Sequence, residues 1–286
     1  MKRKLNRKSL YGYLFISPWL IGFFLLVLWP LIQSFYFSLN NMRITPTELQ
    51  FRFVGFNNYL NVWLQDMFFI QELVQFILNT VLRVPVIVVF ALIIAMLLNE
   101  KVRFQGGFRT IFFLPVIVAS GPVIHQLISQ GATTVPMANP EMITSLLVNI
   151  FPIWIAQAIS ELFNQIIIIL WYSGVQILIF LAVLQKVDPS LYEAAKIDGA
   201  SGWECFWKIT LPTIKPIVLI NMVYTLVSLA NSSQNPIINL IYSNMFSATR
   251  GYGFASAMAW MYALIITILL LMIFLVFREK KSKRYA

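Results

Sequence analysis

The side chains able to do chemistry are few, and their positions narrow what that chemistry can be. The 286-residue chain holds one histidine, His125, and one cysteine, Cys205. This excludes a disulfide framework and a zinc site built from several His or Cys ligands. No glycine is followed by lysine, so the Gly-Lys-Ser/Thr turn that cradles nucleotide phosphates is missing. With no HExxH run and no paired carboxylates inside an apolar stretch, few general acids or bases remain. Two polar features are left. One is the run 188–216, DPSLYEAAKIDGASGWECFWKITLPTIKP, set between apolar stretches. The other is a ladder of amides and hydroxyls: Asn221, Tyr224, Thr225, Ser228, Asn231, Ser232 and Asn235. Their three- and four-residue steps place them on one helical face. Such a face can pass a polar solute, or it can bond helix to helix. Both readings stay open. Arg83, between Asn79 and Pro85, lies inside another apolar stretch. It can snorkel, pair across a subunit interface, or meet an anionic solute.

The run 188–216 encodes two short helices. Asp188 can cap the first, with Pro189 at its first position, where a missing N–H costs nothing. Ser190 with Glu193 offers a capping box one turn later. Gly199 ends this helix through a left-handed conformation. Ser201 with Glu204 is a second capping box, and the helix it opens is expected to run to about residue 209, stopped by Pro212 and Pro216. Glu193 is expected to act as a capping carboxylate.

The elements that must position these residues are membrane spans. Of the chain, 59% is apolar and 11% charged, with a mean hydropathy of +0.77. That composition belongs to a polytopic membrane protein rather than a soluble domain. Spans are expected at 13–37, 73–98, 110–128, 166–184, 217–234 and 257–277. The first is too long for a secretory signal and no small-x-small cleavage site follows it. Residues 39–71 read as a loop with a short surface helix at 59–69.

Residues 145–184 are apolar enough for two spans, and charge decides the count. With a single span there, at 166–184, seventeen basic residues fall on one side and three (Arg43, Arg52, Arg250) on the other. This is the positive-inside pattern. Residues 146–163 then form an external interfacial or re-entrant helix. The net charge of +10 is accounted for by these flanks, not by nucleic-acid binding. The result is an all-α polytopic protein of one domain, 1–286, with six transmembrane helices, both termini cytoplasmic, and a cytoplasmic loop at about 186–215.

In that loop the spacing Glu193-Ala194-Ala195, three residues, Gly199, nine residues, Ile209, one residue, Leu211-Pro212 resembles the EAA loop of ABC importer permeases. The resemblance extends to the FVGFNNY run at 53–59, FQGGFRTIFFLP at 104–115, LIFLAVLQ at 178–185 and GYGFASA at 251–257. The subgroup it is similar to is the first permease of maltose- and glycerol-phosphate-type importers. Residues 129–165 and the 235–250 loop depart from that pattern, which leaves the cargo open.

The resemblance implies a type I importer permease fold in a bacterial cytoplasmic membrane. It implies ATPase coupling through Glu193, Ala194, Ala195, Asp198, Gly199, Ile209, Leu211 and Pro212, with Glu193 as a docking carboxylate and Gly199 as the hinge turn. It implies a second permease, two ATPase subunits that bind the ATP and Mg, an extracytoplasmic binding protein, and a sugar or oligosaccharide cargo. Asn221, Tyr224, Ser228, Asn231, Asn235 and Arg83 become candidates for the substrate path. The chain itself would carry no cofactor and catalyse no reaction. Without the resemblance, the loop reads as an amphipathic helix on the inner membrane surface, and the chain as a stand-alone secondary transporter or channel. The spans carry no interior Asp or Glu, which disfavours ion coupling.

Overall fold

A computed structural model of the chain describes residues 7–44, 49–99, 106–107, 145, 147–148, 151–232, 235–247 and 249–278. Among them, α1 (Arg7–Phe23), a π-helical turn (Phe24–Leu28) and α2 (Trp29–Ser38) form one apolar rod. A hairpin follows, β1 (Asn40–Ile44) with β2 (Leu49–Phe53), then α3 (Asn57–Gln65) and α4 (Met67–Asn99). The second half of the chain has α5 (Ile153–Leu184), α6 (Pro189–Ile197), α7 (Gly202–Cys205) with a π turn (Phe206–Thr210), α8 (Leu211–Ala230), α9 (Pro236–Met245) and α10 (Gly251–Phe277). Among the described residues, four helical stretches are long and apolar enough to cross a membrane: Tyr11–Ser38, Met67–Asn99, Gly202–Ala230 and Gly251–Phe277. A bent pair, Tyr172–Leu184 with Pro189–Ile197 at 67°, makes a fifth candidate. The expected third span at 110–128, His125, and most of the 104–115 motif lie outside the described residues.

The chain falls into two compact units, Met1–Phe76 with Asn231–Ile268, and Ile77–Ala230 with Leu269–Ala286. In the first, the hairpin pairs antiparallel from Asn40↔Phe53 to Ile44↔Leu49. This two-stranded element departs from the expected all-α chain. Alternation of Asn, Met, Gln and Phe over short runs, broken by Pro46, is too weak a pattern to announce strands. Asn58, on α3, donates to the carbonyls of Ser38 (2.8 Å) and Asn40 (3.0 Å), and Tyr59 bonds the Ser38 hydroxyl at 2.7 Å. These bonds tie α3 to the end of α2. Gly253 lets α10 approach the same place: a Cβ there would overlap the Asn40 carbonyl oxygen and lie 3.1 Å from that of Phe37.

The core of the second unit is apolar and continuous. Val88, Ala91, Leu92, Ala95 and Leu98 of α4 pack with Ile177, Phe180, Leu181 and Leu184 of α5 and Ile214 of α8. The i, i+3, i+4 spacing on α4 and α5 puts these side chains on single faces.

Three expected boundaries are corrected. The break between 146–163 and the span at 166 does not occur, because α5 runs unbroken from Ile153 to Leu184. Glu161, Asn164 and Gln165 are polar but good enough helix formers, and no Pro or Gly lies between Pro152 and Gly174 to stop the ladder. Secondly, Pro212 and Pro216 do not end the helix begun at Gly202. The Leu211 N–H bonds the Phe206 carbonyl in a π turn just before Pro212, so the proline ring falls where the ladder is already interrupted. The helix then continues to Ala230. Thirdly, that helix stops at Ala230, short of the expected 234.

Candidate coupling loop and polar helix face

Each end of α6 is closed by a named contact. The Asp188 carboxylate accepts from the Ser190 N–H at 2.9 Å, and Pro189 occupies the first turn. This contact holds the Asp188 carboxyl below its ordinary range. At the other end the Ala200 N–H bonds the Ala195 carbonyl (2.9 Å) and the Gly199 N–H bonds that of Lys196 (3.1 Å). This is a Schellman closure, and it requires the left-handed backbone that Gly199 adopts, with φ of +82°. Ser201 then opens α7 with a complete capping box: its N–H donates to Glu204 (2.9 Å) and the Glu204 N–H donates to its hydroxyl (3.3 Å). The Ser201 backbone bond, then its hydroxyl, then Lys208 depress the Glu204 carboxyl. Both carboxyls are lowered on folding. Their contribution is therefore complete above the ordinary carboxylate range and is lost only as pH falls through the lower folded values.

Asp188 takes the cap, so the capping role expected of Glu193 is not used. Glu193 and Ala194 are exposed, Ala195 half-buried, and Asp198 exposed as the C-cap. Of the later motif residues, Ile209 and Leu211 are half-buried and Pro212 is exposed. The Tyr192 hydroxyl bonds that of Thr210 at 2.9 Å, linking α6 to the π turn that leads into α8. Cys205 is buried, a packing residue. Large apolar side chains remain uncovered around the loop: Leu191, Ile197, Trp203 and Trp207. The loop is thus a doubly capped bend whose apolar surface the described residues leave uncovered.

The polar ladder divides. Asn221 and Thr225 are fully buried on α8, as are Ser173 and Gln176 on α5. Gln176 donates to the Thr225 hydroxyl (2.8 Å), which donates to the Asn221 carbonyl (2.7 Å). For Thr225 the helix-to-helix reading therefore holds. Tyr224 is 40% exposed and Ser228 half-buried, while Asn231 is exposed just past the helix end. Asn235, like Asn231, belongs to the other unit and is not on this helix. Its carboxamide caps α9 by accepting from the Ile237 N–H (3.0 Å) and donates to the Tyr262 hydroxyl (2.7 Å). Arg83 is half-buried on α4 and forms no ion pair among the described residues. Thr225→Val should cost about 1 kcal/mol, as interhelical hydrogen bonds in membranes do. Thermal unfolding of the detergent-purified protein would measure it.

Sequence reasoning missed Gln176, although a glutamine in an apolar span always needs a partner. It also missed an ion pair. Asp66 is 4% exposed and caps α4 by accepting from the Phe69 N–H at 3.0 Å. Arg250, 184 residues away in sequence, pairs with its other oxygen, bonds Asn244 (3.0 Å) and lies 4.8 Å over the Phe254 ring. No local pattern announces a partner at that distance. Arg250→Gln leaves a buried carboxylate without its cation. The arginine is 37% exposed, which moderates the loss to about 2 kcal/mol, below the 3–5 typical of fully buried pairs. The double variant Asp66→Asn/Arg250→Gln should recover part of that loss in the same unfolding measurement.

A family model described as the binding-protein-dependent transport system inner membrane component matches residues 64–278. The chain is 28% identical over 291 residues to a probable ABC transporter permease, YesP of Bacillus subtilis, covering 95% of this chain and 92% of that one. It is 28% identical to the lactose transport system permease LacF of Rhizobium radiobacter (94% and 95% covered). To the arabinooligosaccharides permease AraP of Halalkalibacterium halodurans it is 34% identical (75% and 66% covered). Among solved structures, a bacterial ABC transporter for import of the acidic polysaccharide alginate has a chain of the same fold. Its TM-score is 0.62 at 20% identity, with 96% of this chain and 98% of that one covered.

Proposed function

The chain belongs to the family of binding-protein-dependent transport system inner membrane components, and from that premise we propose that it is one permease of an ATP-driven importer of a sugar or oligosaccharide. It forms the translocation path with a second, homologous permease. Two ATPase subunits hold the ATP and Mg, and an extracytoplasmic binding protein delivers the cargo. Relatives named for lactose and arabinooligosaccharides support the cargo class. A neighbouring structure solved with its periplasmic protein bound supports the delivery step. The chain crosses the inner membrane six times, with both termini cytoplasmic. Seventeen basic residues on one flank support that orientation.

One observation carries the coupling role: α6, set at 67° to the helix before it and closed at both ends, presents Glu193 and Ala194 outward with Leu191 and Ile197. Closure of the ATPases on ATP pushes this short rod. Gly199 transmits the push because its turn is rigidly bonded. The Tyr192–Thr210 contact passes it to α8, which the π turn keeps continuous with the loop. The helices then move as bodies and exchange outward for inward access. Tyr224 and Ser228 offer hydroxyl groups to the passing sugar, with Asn221 and Arg83 of the same unit holding the path's shape.

Purification of the tagged chain from membranes tests this reading. An ATPase subunit should co-purify, and ATP hydrolysis should rise with cargo-loaded binding protein. Uptake by the chain reconstituted alone would instead support a stand-alone transporter, which the family does not favour.

A further inference from the structure

Helix α3 has three sides. At 100° per residue, Asn58 and Val62 share one direction, Leu60, Trp63 and Leu64 an opposite arc, and Asn57, Asn61 and Gln65 the arc between. Burial follows this division. Asn58 and Val62 are buried, the amide bonded to two backbone carbonyls of the α2–β1 junction. Leu60, Trp63 and Leu64 are 54%, 59% and 73% exposed. Along the amide edge, Gln65 donates to Asn61 at 3.3 Å. No charged residue lies within the helix.

A helix covered by protein on one side normally turns polar groups outward. Here the outward arc is apolar, and only the edge beside it is polar. That pattern suits a site with three media: protein, water and hydrocarbon. Exposed apolar residues also continue past the end of α3. Met67 and Phe68 start α4 one residue after α3 ends and are 80% and 75% exposed, and exposed apolar residues recur along α4 at Val74, Leu78 and Leu82. α4 is a membrane-crossing candidate of a family of inner membrane components. Among the described residues nothing covers this apolar stripe, which makes it the side for lipid to meet.

We infer that α3 is an interfacial anchor. Leu60, Trp63 and Leu64 enter the boundary between lipid headgroups and acyl chains, while Asn57, Asn61 and Gln65 face water. Apolar faces of such helices reach about 5–10 Å into that boundary, and tryptophan prefers this depth. The anchor holds the Met67 end of α4 at a fixed depth through the short link at Asp66. This role is independent of the cargo and of ATPase coupling.

The test uses the full-length chain, purified with its bound subunits and placed in lipid nanodiscs. Nitroxide labels go at Leu60→Cys, Asn61→Cys and Leu64→Cys in a Cys205→Ala background, which removes the only native thiol. Accessibility to oxygen and to a water-soluble nickel chelate is then read by EPR. The oxygen-to-nickel ratio should be severalfold higher at 60 and 64 than at 61, because oxygen concentrates in acyl chains. Equal ratios at the three sites would overturn the inference and leave α3 in water. Labels at 60 and 64 immobilised and shielded from both reagents would also overturn it, showing that another protein chain covers this face. If one variant fails to assemble, the contrast between 61 and the remaining apolar site still decides.

Discussion

Gly199→Val should abolish cargo uptake while leaving the chain in the membrane at normal abundance. The reason is backbone conformation rather than crowding. Nothing lies within 4 Å of where a Cβ would stand, yet the residue sits at φ of +82°. A left-handed conformation costs an L-residue about 1–2 kcal/mol, and a β-branched side chain is the least tolerant. The two bonds that close α6, from the Gly199 and Ala200 N–H groups, depend on that conformation. Losing about 1.4 kcal/mol shifts the closed turn tenfold toward open forms, and an opened turn yields under the ATPase instead of transmitting its push. Gly199→Asn should keep much of the uptake, since asparagine visits this conformation more readily. Gly199→Asp should fall below asparagine, because it adds a second carboxylate beside Asp198 at the negative end of α6. Transport assays paired with membrane immunoblots separate coupling from assembly. Normal uptake by the valine variant would remove Gly199 from the coupling machinery.

Gly253→Ala should harm the protein in a different way, by lowering its stability and its yield in membranes. The added methyl group would collide with the backbone carbonyl of Asn40 and press on that of Phe37. Backbone cannot rotate aside as a side-chain end can, so α10 must move from the α2–β1 junction. Overpacking of this kind costs about 1–3 kcal/mol even where side chains can adjust. The junction also carries the Asn58 bonds, so the displacement spreads to α3. Gly22→Ala, on α1, is the control, since nothing lies within 4 Å of its Cβ position and stability should not fall. A lowered thermal midpoint and reduced detergent-stable yield for Gly253→Ala alone would bear the argument out. Equal behaviour of the two variants would sink it.

What the sequence determined by itself was set by short-range chemistry. The Asp188-Pro189 start, the left-handed Gly199 stop and the Ser201–Glu204 capping box all act within a few residues, so their identities suffice. The same holds for the apolar lengths of the first, second and last spans and for the family spacing of the loop. Tertiary structure decided whatever depends on a partner far along the chain. Whether Thr225 faces a solute or a helix hung on Gln176, 49 residues earlier. Whether Asp66 is a loop residue or half of a buried pair hung on Arg250, 184 residues later. Pro212 looked like a terminator because a proline breaks an α-helical ladder, and only the π turn before it let the helix pass into α8. Local patterns record how backbone groups satisfy one another nearby. Where a buried polar group must be satisfied across the fold, its residue type states the need and only the packing supplies the answer.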